Sequence, residues 1–121
     1  MISPMNSPPS PARAQVCRAS PDGYAPALPG IRRKTMVHGP NTLLAEFRLA
    51  RNAVIPLHAH PQEQTGYLVS GRLQFTIAGV DHACGPGDSW CIPGGAEHGV
   101  RAAEDSVVIE VFSPVRADYL P

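Results

Sequence analysis

The sequence has no excess of charge of either sign, few cysteines and no long apolar run, and each absence removes a class of function. Ten Lys and Arg balance ten Asp and Glu. The chain therefore lacks the long-range field that gathers nucleic acid or an anionic membrane, and the cluster Arg32, Arg33, Lys34 is too small to supply it. No stretch approaches the roughly 20 apolar residues that cross a bilayer. The N-terminus has neither the basic start nor the apolar segment of a signal peptide, so the cytoplasm is the expected compartment. The three cysteines, Cys17, Cys84 and Cys91, are odd in number and fall in no CxxC spacing, so no disulfide framework is indicated and reduced thiols are expected. Helix-period segments and internal repeats are also missing. At 121 residues the chain admits one domain with a real core, not two.

What is abundant is proline, unevenly placed. Half of the fourteen lie before Ile31, at Pro4, Pro8, Pro9, Pro11, Pro21, Pro26 and Pro29, among few large apolar residues. Such a segment buries too little surface to offset its ordering entropy. Residues 1–30 are expected as a disordered or loosely draped arm, of the kind that can also add an edge strand or exchange between subunits. Residues 31–121 are expected as the folded domain. There, Leu43, Ala45, Phe47 and Leu49 alternate with Leu44, Glu46 and Arg48, while Leu73, Phe75 and Ile77 alternate with Arg72, Gln74 and Thr76. Val107, Ile109 and Val111 alternate with Val108, Glu110 and Phe112. Each such run has the two faces of a strand. Turn signals recur about every 8 to 12 residues, the signature of an all-β barrel or jelly roll with eight to ten mostly antiparallel strands. Cys84 and Cys91 would be small core or barrel-wall residues in it.

The chemistry concentrates in two runs. The first, residues 54–71, reads VIPLHAHPQEQTGYLVSG. His58 and His60 stand two apart on an expected strand and so project from one face, close enough to share an ion. Gln64 can return from the next strand as an oxygen donor. Glu63 is the alternative, favoured by charge where spacing favours Gln64. The second run, residues 87–98, reads GDSWCIPGGAEH, and its turns bring His98 back toward the same face. Three imidazoles and a side-chain oxygen suit one divalent first-row metal, with Zn, Mn, Fe, Ni and Cu all open, and are too nitrogen-rich for calcium or magnesium.

These runs resemble the two signature motifs of the cupin superfamily. His58, His60, Gln64 and Gly71 fill the first and Gly87, Pro93, Gly95 and His98 the second. The resemblance covers roughly residues 31–121 and implies a cupin jelly-roll β-barrel. It departs from the pattern at Asn52 for the usual Gly, at Ala102 for the frequent Asn, and at Gln64 for the usual Glu. A neutral fourth ligand leaves the full charge on the ion and favours Lewis-acid work.

Three stretches are similar to the small pectin-degradation cupins: IRRKTMVHG at 31–39, HAHPQEQTGYLVSGRL at 58–73 and VIEVFSPVRADYL at 108–120. That group linearises 4,5-unsaturated monouronates to keto sugar acids. The resemblance implies catalytic or substrate-binding roles for Glu110, Phe112 and Arg116, although the group has Asp where Glu110 stands. On physical grounds, an inward Glu110 can move a proton and Arg116 can grip a carboxylate. Equally, Glu110 can face solvent, Arg116 can pair with Asp118, and Phe112 can be plain core. Trp90 is expected in the core, at a barrel end or at a dimer contact.

Three functions follow. The leading one is metal-dependent ring opening of a carboxylated sugar. The second is a dioxygenase using open metal positions, which Gln64 disfavours. The third is a non-catalytic small-molecule binder. The resemblance also implies a homodimer, since small cupins pair across strands or sheet faces.

Overall fold

Alternation becomes strand wherever one face can be buried. Residues 14–121, which this computed structural model describes, form ten strands: β1 (Ala25–Leu28), β2 (Ile31–His38), β3 (Leu43–Leu49), β4 (Val54–His58), β5 (Glu63–Ser70), β6 (Leu73–Ile77), β7 (Val80–Cys84), β8 (Ser89–Ile92), β9 (His98–Ala102) and β10 (Ser106–Ser113). A 3-10 turn, Ala117–Tyr119, follows. All pairings are antiparallel. One sheet runs β1-β2-β3-β10-β5-β8 and the other β4-β9-β6-β7, an all-β jelly-roll barrel.

Between the sheets lie Leu43, Ala45, Phe47 and Leu49 of β3, Leu73 and Phe75 of β6, and Val108 and Phe112 of β10, all buried. Each large side chain among them contributes about 1.5–3 kcal/mol by leaving water. In β10 the period of two has an unusual outcome. The inward row is Ser106, Val108, Glu110 and Phe112, while the wholly apolar row Val107, Ile109 and Val111 faces outward, half-buried. The barrel interior thus receives a carboxyl where sequence composition alone would have put valine and isoleucine. The β6–β7 hairpin is a two-residue link, in which Ala78 and Gly79 have φ of 48° and 79°. That pair of positive values lets a two-residue turn match the strands' twist, and it pairs Ile77 with Val80.

Strand β1 lies within the residues expected as an arm. It is fixed by main-chain pairing to β2, and as a sheet edge it tolerates Pro26, which has no N–H to give. The residues before it run over the outside of β2 and β3. Gln15 Oε1 accepts from the His38 N–H at 3.3 Å, Ser20 O accepts from Lys34 Nζ at 3.3 Å, and the Tyr24 hydroxyl donates to Glu46 Oε1 at 2.5 Å. Residues 1–13 of the expected arm lie outside the described residues.

The two strand cysteines divide between core and outer wall. Cys84 packs half-buried against the core, whereas Cys91 is exposed, because β8 turns Trp90 and Ile92 inward and Cys91 out. All three thiols are free.

Candidate active site

His58 and His98 face each other across the β4–β9 pair, with ring centroids 4.3 Å apart. His60 completes the group at 5.5 Å from His58 and 4.9 Å from His98. It does so from an unexpected place. Strand β4 ends at His58, so His60 reaches the cluster from the β4–β5 loop and not as the next residue on a strand face. One ligand atom from each ring lies within 4.8 Å of the others.

Each ring is oriented by a carbonyl. Nδ1 of His58 lies 2.8 Å from Pro56 O, that of His60 3.0 Å from Gln62 O, and that of His98 2.8 Å from Ala96 O. A carbonyl only accepts, so each Nδ1 carries a proton, which in a neutral ring leaves Nε2 as the atom with the lone pair. Burial, reinforced for His60 by the nearby Arg116 charge, holds the pKa of His60 and His98 below the usual histidine value. Both are neutral at pH 7, the form that binds metal.

Gln64 points inward from β5 and Glu63 outward, so only Gln64 is placed to join them. Its Oε1 lies 3.0 Å from His60 Nε2. With His60 protonated on Nδ1, these are two acceptors facing each other, an arrangement a cation relieves. His98 Nε2 is buried with no partner among the described residues. The donor set therefore fits a divalent first-row ion.

Glu110 is 3 % exposed and sits in a row across three strands. Its cross-strand neighbour on β5 is Gly66, and Gly66's on β8 is Trp90. Trp90 Nε1–H donates to Glu110 Oε1 at 2.9 Å, passing over Gly66. A Cβ at Gly66 would overlap both the indole nitrogen and the Glu110 carboxyl, which explains a glycine in a strand interior. Desolvation pushes the Glu110 pKa up to about 8, with the Gln64 amide and the Trp90 N–H offsetting it only in part. At neutral pH the group is mainly a protonated acid. Its Oε2 is buried without a partner among the described residues.

Phe112, two residues along the same inward row, packs 5.8 Å from His60 and is 1 % exposed. Arg116 folds back over it, Cζ 5.1 Å from the ring. Its guanidinium also pairs with Asp118, at 3.2 Å from Nε to Oδ1 and 2.8 Å from Nη2 to Oδ2. Two alternatives raised by the sequence thus coexist: Arg116 lines the cavity shared with His58, Gln64, His98 and Glu110, and it is paired with Asp118.

Sequence reasoning missed the partners of these groups. Trp90 was expected as core but not as the support of Glu110, and Gly66 was the available signal. Tyr119, which also lines the cavity, and Arg33, stacked on Tyr119 at 3.8 Å, carry no local signal.

A model of the cupin domain family matches residues 45–113. The pectin degradation protein KdgF of Dickeya dadantii (strain 3937) is 31% identical over 93 residues, which is 75% of this chain and 84% of that protein. Among solved structures, KdgF from Halomonas sp. superposes with a TM-score of 0.85 at 33% identity, covering 89% of this chain and 100% of that one. An RmlC-like cupin from Shewanella frigidimarina NCIMB 400 superposes with a TM-score of 0.84 at 22% identity, covering 89% and 97%, and bears on the fold alone.

Proposed function

We propose that this chain, which belongs to the cupin domain family, is a metal-dependent enzyme that opens the ring of a small 4,5-unsaturated uronate, a breakdown product of pectin or alginate, to a linear keto sugar acid. The observation that carries this is convergence: His58, Gln64, His98, Glu110, Phe112 and Arg116 line one cavity, with His60 against His98 and Phe112. Similarity to a pectin degradation protein supports a pectin-derived substrate.

Held by His58, His60, His98 and the Gln64 oxygen, a divalent ion (Zn, Mn, Fe, Ni or Cu) supplies Lewis acidity toward a sugar oxygen. The chain's own residues do the rest. Arg116 takes the carboxylate with two parallel N–H bonds, and Phe112 gives the sugar ring an apolar wall. Opening breaks the bond between C1 and the ring oxygen, as the C1 hydroxyl loses its proton and the ring oxygen is left as an enol. The enol becomes a ketone by gaining a proton on C4 and losing the one on oxygen. Glu110, protonated at neutral pH and fixed by Trp90 through Oε1, has Oε2 free to serve that exchange. Protons balance, and no water or oxidant is consumed.

The test is incubation of the metal-loaded protein with 4,5-unsaturated galacturonate, following loss of the enol-ether absorbance. Acceleration over buffer is expected, and a rate equal to buffer overturns the reading. The same reading places the chain as a homodimer through the outer face of the six-stranded sheet. There Val111 lies beside Leu44 and Ile109 beside Tyr67, and Tyr67 is 48% exposed. Light scattering should then give about twice 12.9 kDa.

A further inference from the structure

The C-terminal turn does more than end the chain. The Tyr119 main-chain oxygen accepts from Thr35 Oγ1 at 2.5 Å, pinning the turn to β2. The Tyr119 ring lies edge-on to Phe112 at 5.2 Å. Two guanidiniums lie against that ring, Arg33 at 3.8 Å and Arg116 at 4.0 Å from its centroid. One carboxylate, Asp118, lies near both cations. Asp118 is paired with Arg116, while Arg33 has no carboxylate partner among the described residues. The local sum is one positive charge, a field that favours an incoming anion.

The pair itself is asymmetric. The Arg116 side chain is 15% exposed and Asp118 59%, so the cation belongs to the cavity wall and the carboxylate to the outside. Of the edges a guanidinium offers, Asp118 takes the Nε–Nη2 one, which a second carboxylate can use only by replacing the first. Behind this contact lies the cavity that Arg116 and Tyr119 line together with His58, His98 and Glu110. At this wall the Arg116–Asp118 pair is the contact that an entering carboxylate can replace like for like.

We propose that Asp118 is a built-in competitor for the substrate's carboxylate: it holds the Nε and Nη2 edge of Arg116 until a carboxylated ligand displaces it. The inference rests on the reading of Arg116 as the carboxylate-binding residue. Arg33, already within Coulombic reach of Asp118, is the cation that receives the displaced group. The device makes the carboxylate a requirement for entry, since a neutral sugar has nothing to exchange for the pair. Asp118 and Arg33 are thereby specificity-determining residues, not catalytic ones.

The test is calorimetric binding of D-galacturonate and of D-galactose, which differ in the carboxylate, to wild type, Asp118→Asn and Arg116→Ala. Asp118→Asn should bind galacturonate roughly 2- to 5-fold more tightly than wild type, the range expected for removing a partly exposed ion pair, with galactose unmoved. A purely structural Asp118, one that braces Arg116, gives the opposite sign. If wild type distinguishes the two sugars and Asp118→Asn binds galacturonate no more tightly, the competitor role is overturned while the carboxylate reading stands. If neither wild type nor Asp118→Asn distinguishes them, or if Arg116→Ala binds galacturonate as well as wild type does, the reading of Arg116 falls and the inference with it.

Discussion

Replacing Glu110 with Gln should remove a large pH dependence of stability. Burial raises this carboxyl from the ordinary 4.5 to about 8, so between those values the unfolded chain releases a proton that the folded chain retains. Below 4.5 both states hold it, and the contribution to stability is fully present. As pH rises toward 8, stability falls by about 1.4 kcal/mol per pH unit, and above 8 the curve flattens. The window of roughly 3.5 units accumulates to about 5 kcal/mol, a ceiling, because hydration of a partly opened cavity relieves part of it. That is comparable with the whole stability of a small domain. His60 and His98 work in the other direction. Their lowered values stabilise the fold above the ordinary histidine pKa and are lost as pH falls, equally in both proteins. Urea midpoints at pH 5, 7 and 9 in the presence of chelator would separate these effects, with Trp90, the sole tryptophan, as the fluorescent reporter. Wild type should lose several kcal/mol between pH 5 and 9 that Glu110→Gln does not lose. Parallel curves for the two proteins would refute the claim that burial governs this group.

Gly66→Ala should cost about 1–3 kcal/mol, as overpacking does, and shift the Trp90 emission, because the new methyl overlaps both the indole nitrogen and the Glu110 carboxyl. An unchanged urea midpoint and spectrum would contradict the geometry. His98→Ala, at a 3 % exposed position, should reduce the metal content of tag-free protein from about one equivalent to a small fraction by elemental analysis; equal content in both would exclude His98 as a ligand. Tyr24→Phe removes the hydroxyl that reaches Glu46 and should cost about 0.5–1.5 kcal/mol in thermal or urea unfolding, since Arg48 remains to pair with that carboxylate.

Strands β3, β6 and β10 were readable because each buries one face, and a one-residue slip would have exposed Phe47, Phe75 or Phe112. The three histidines and Gln64 were readable because gapped spacing encodes how a chain leaves and re-enters a barrel wall. What stayed hidden was set by pairing between distant strands. The Trp90–Gly66–Glu110 row exists only because β5 lies between β8 and β10, and no local pattern states that order. Strand β1 is held by main-chain hydrogen bonds to β2, so its side chains, among them an exposed proline, carry no alternation to detect. His60 converged for a different reason than its spacing suggested, through a loop carbonyl at Gln62. Arg33 sits in a run of three basic residues that reads as solvated surface. Only the strand's alternation, with the C-terminal turn laid across it, separates Arg33 from its neighbours.

The prolines in two strands bear on how copies of this barrel can meet. Pro26 lies in β1 and Pro56 in β4, and these are end strands of the two sheets. An invading strand at either border would find a ring in place of an N–H donor, so ladder growth from that border is interrupted. Each sheet is thus closed at one end against open-ended polymerisation. At the other ends, β8 and β7, which hold no proline, the ladders stay open, so any strand-to-strand pairing of copies is limited to one border of each sheet.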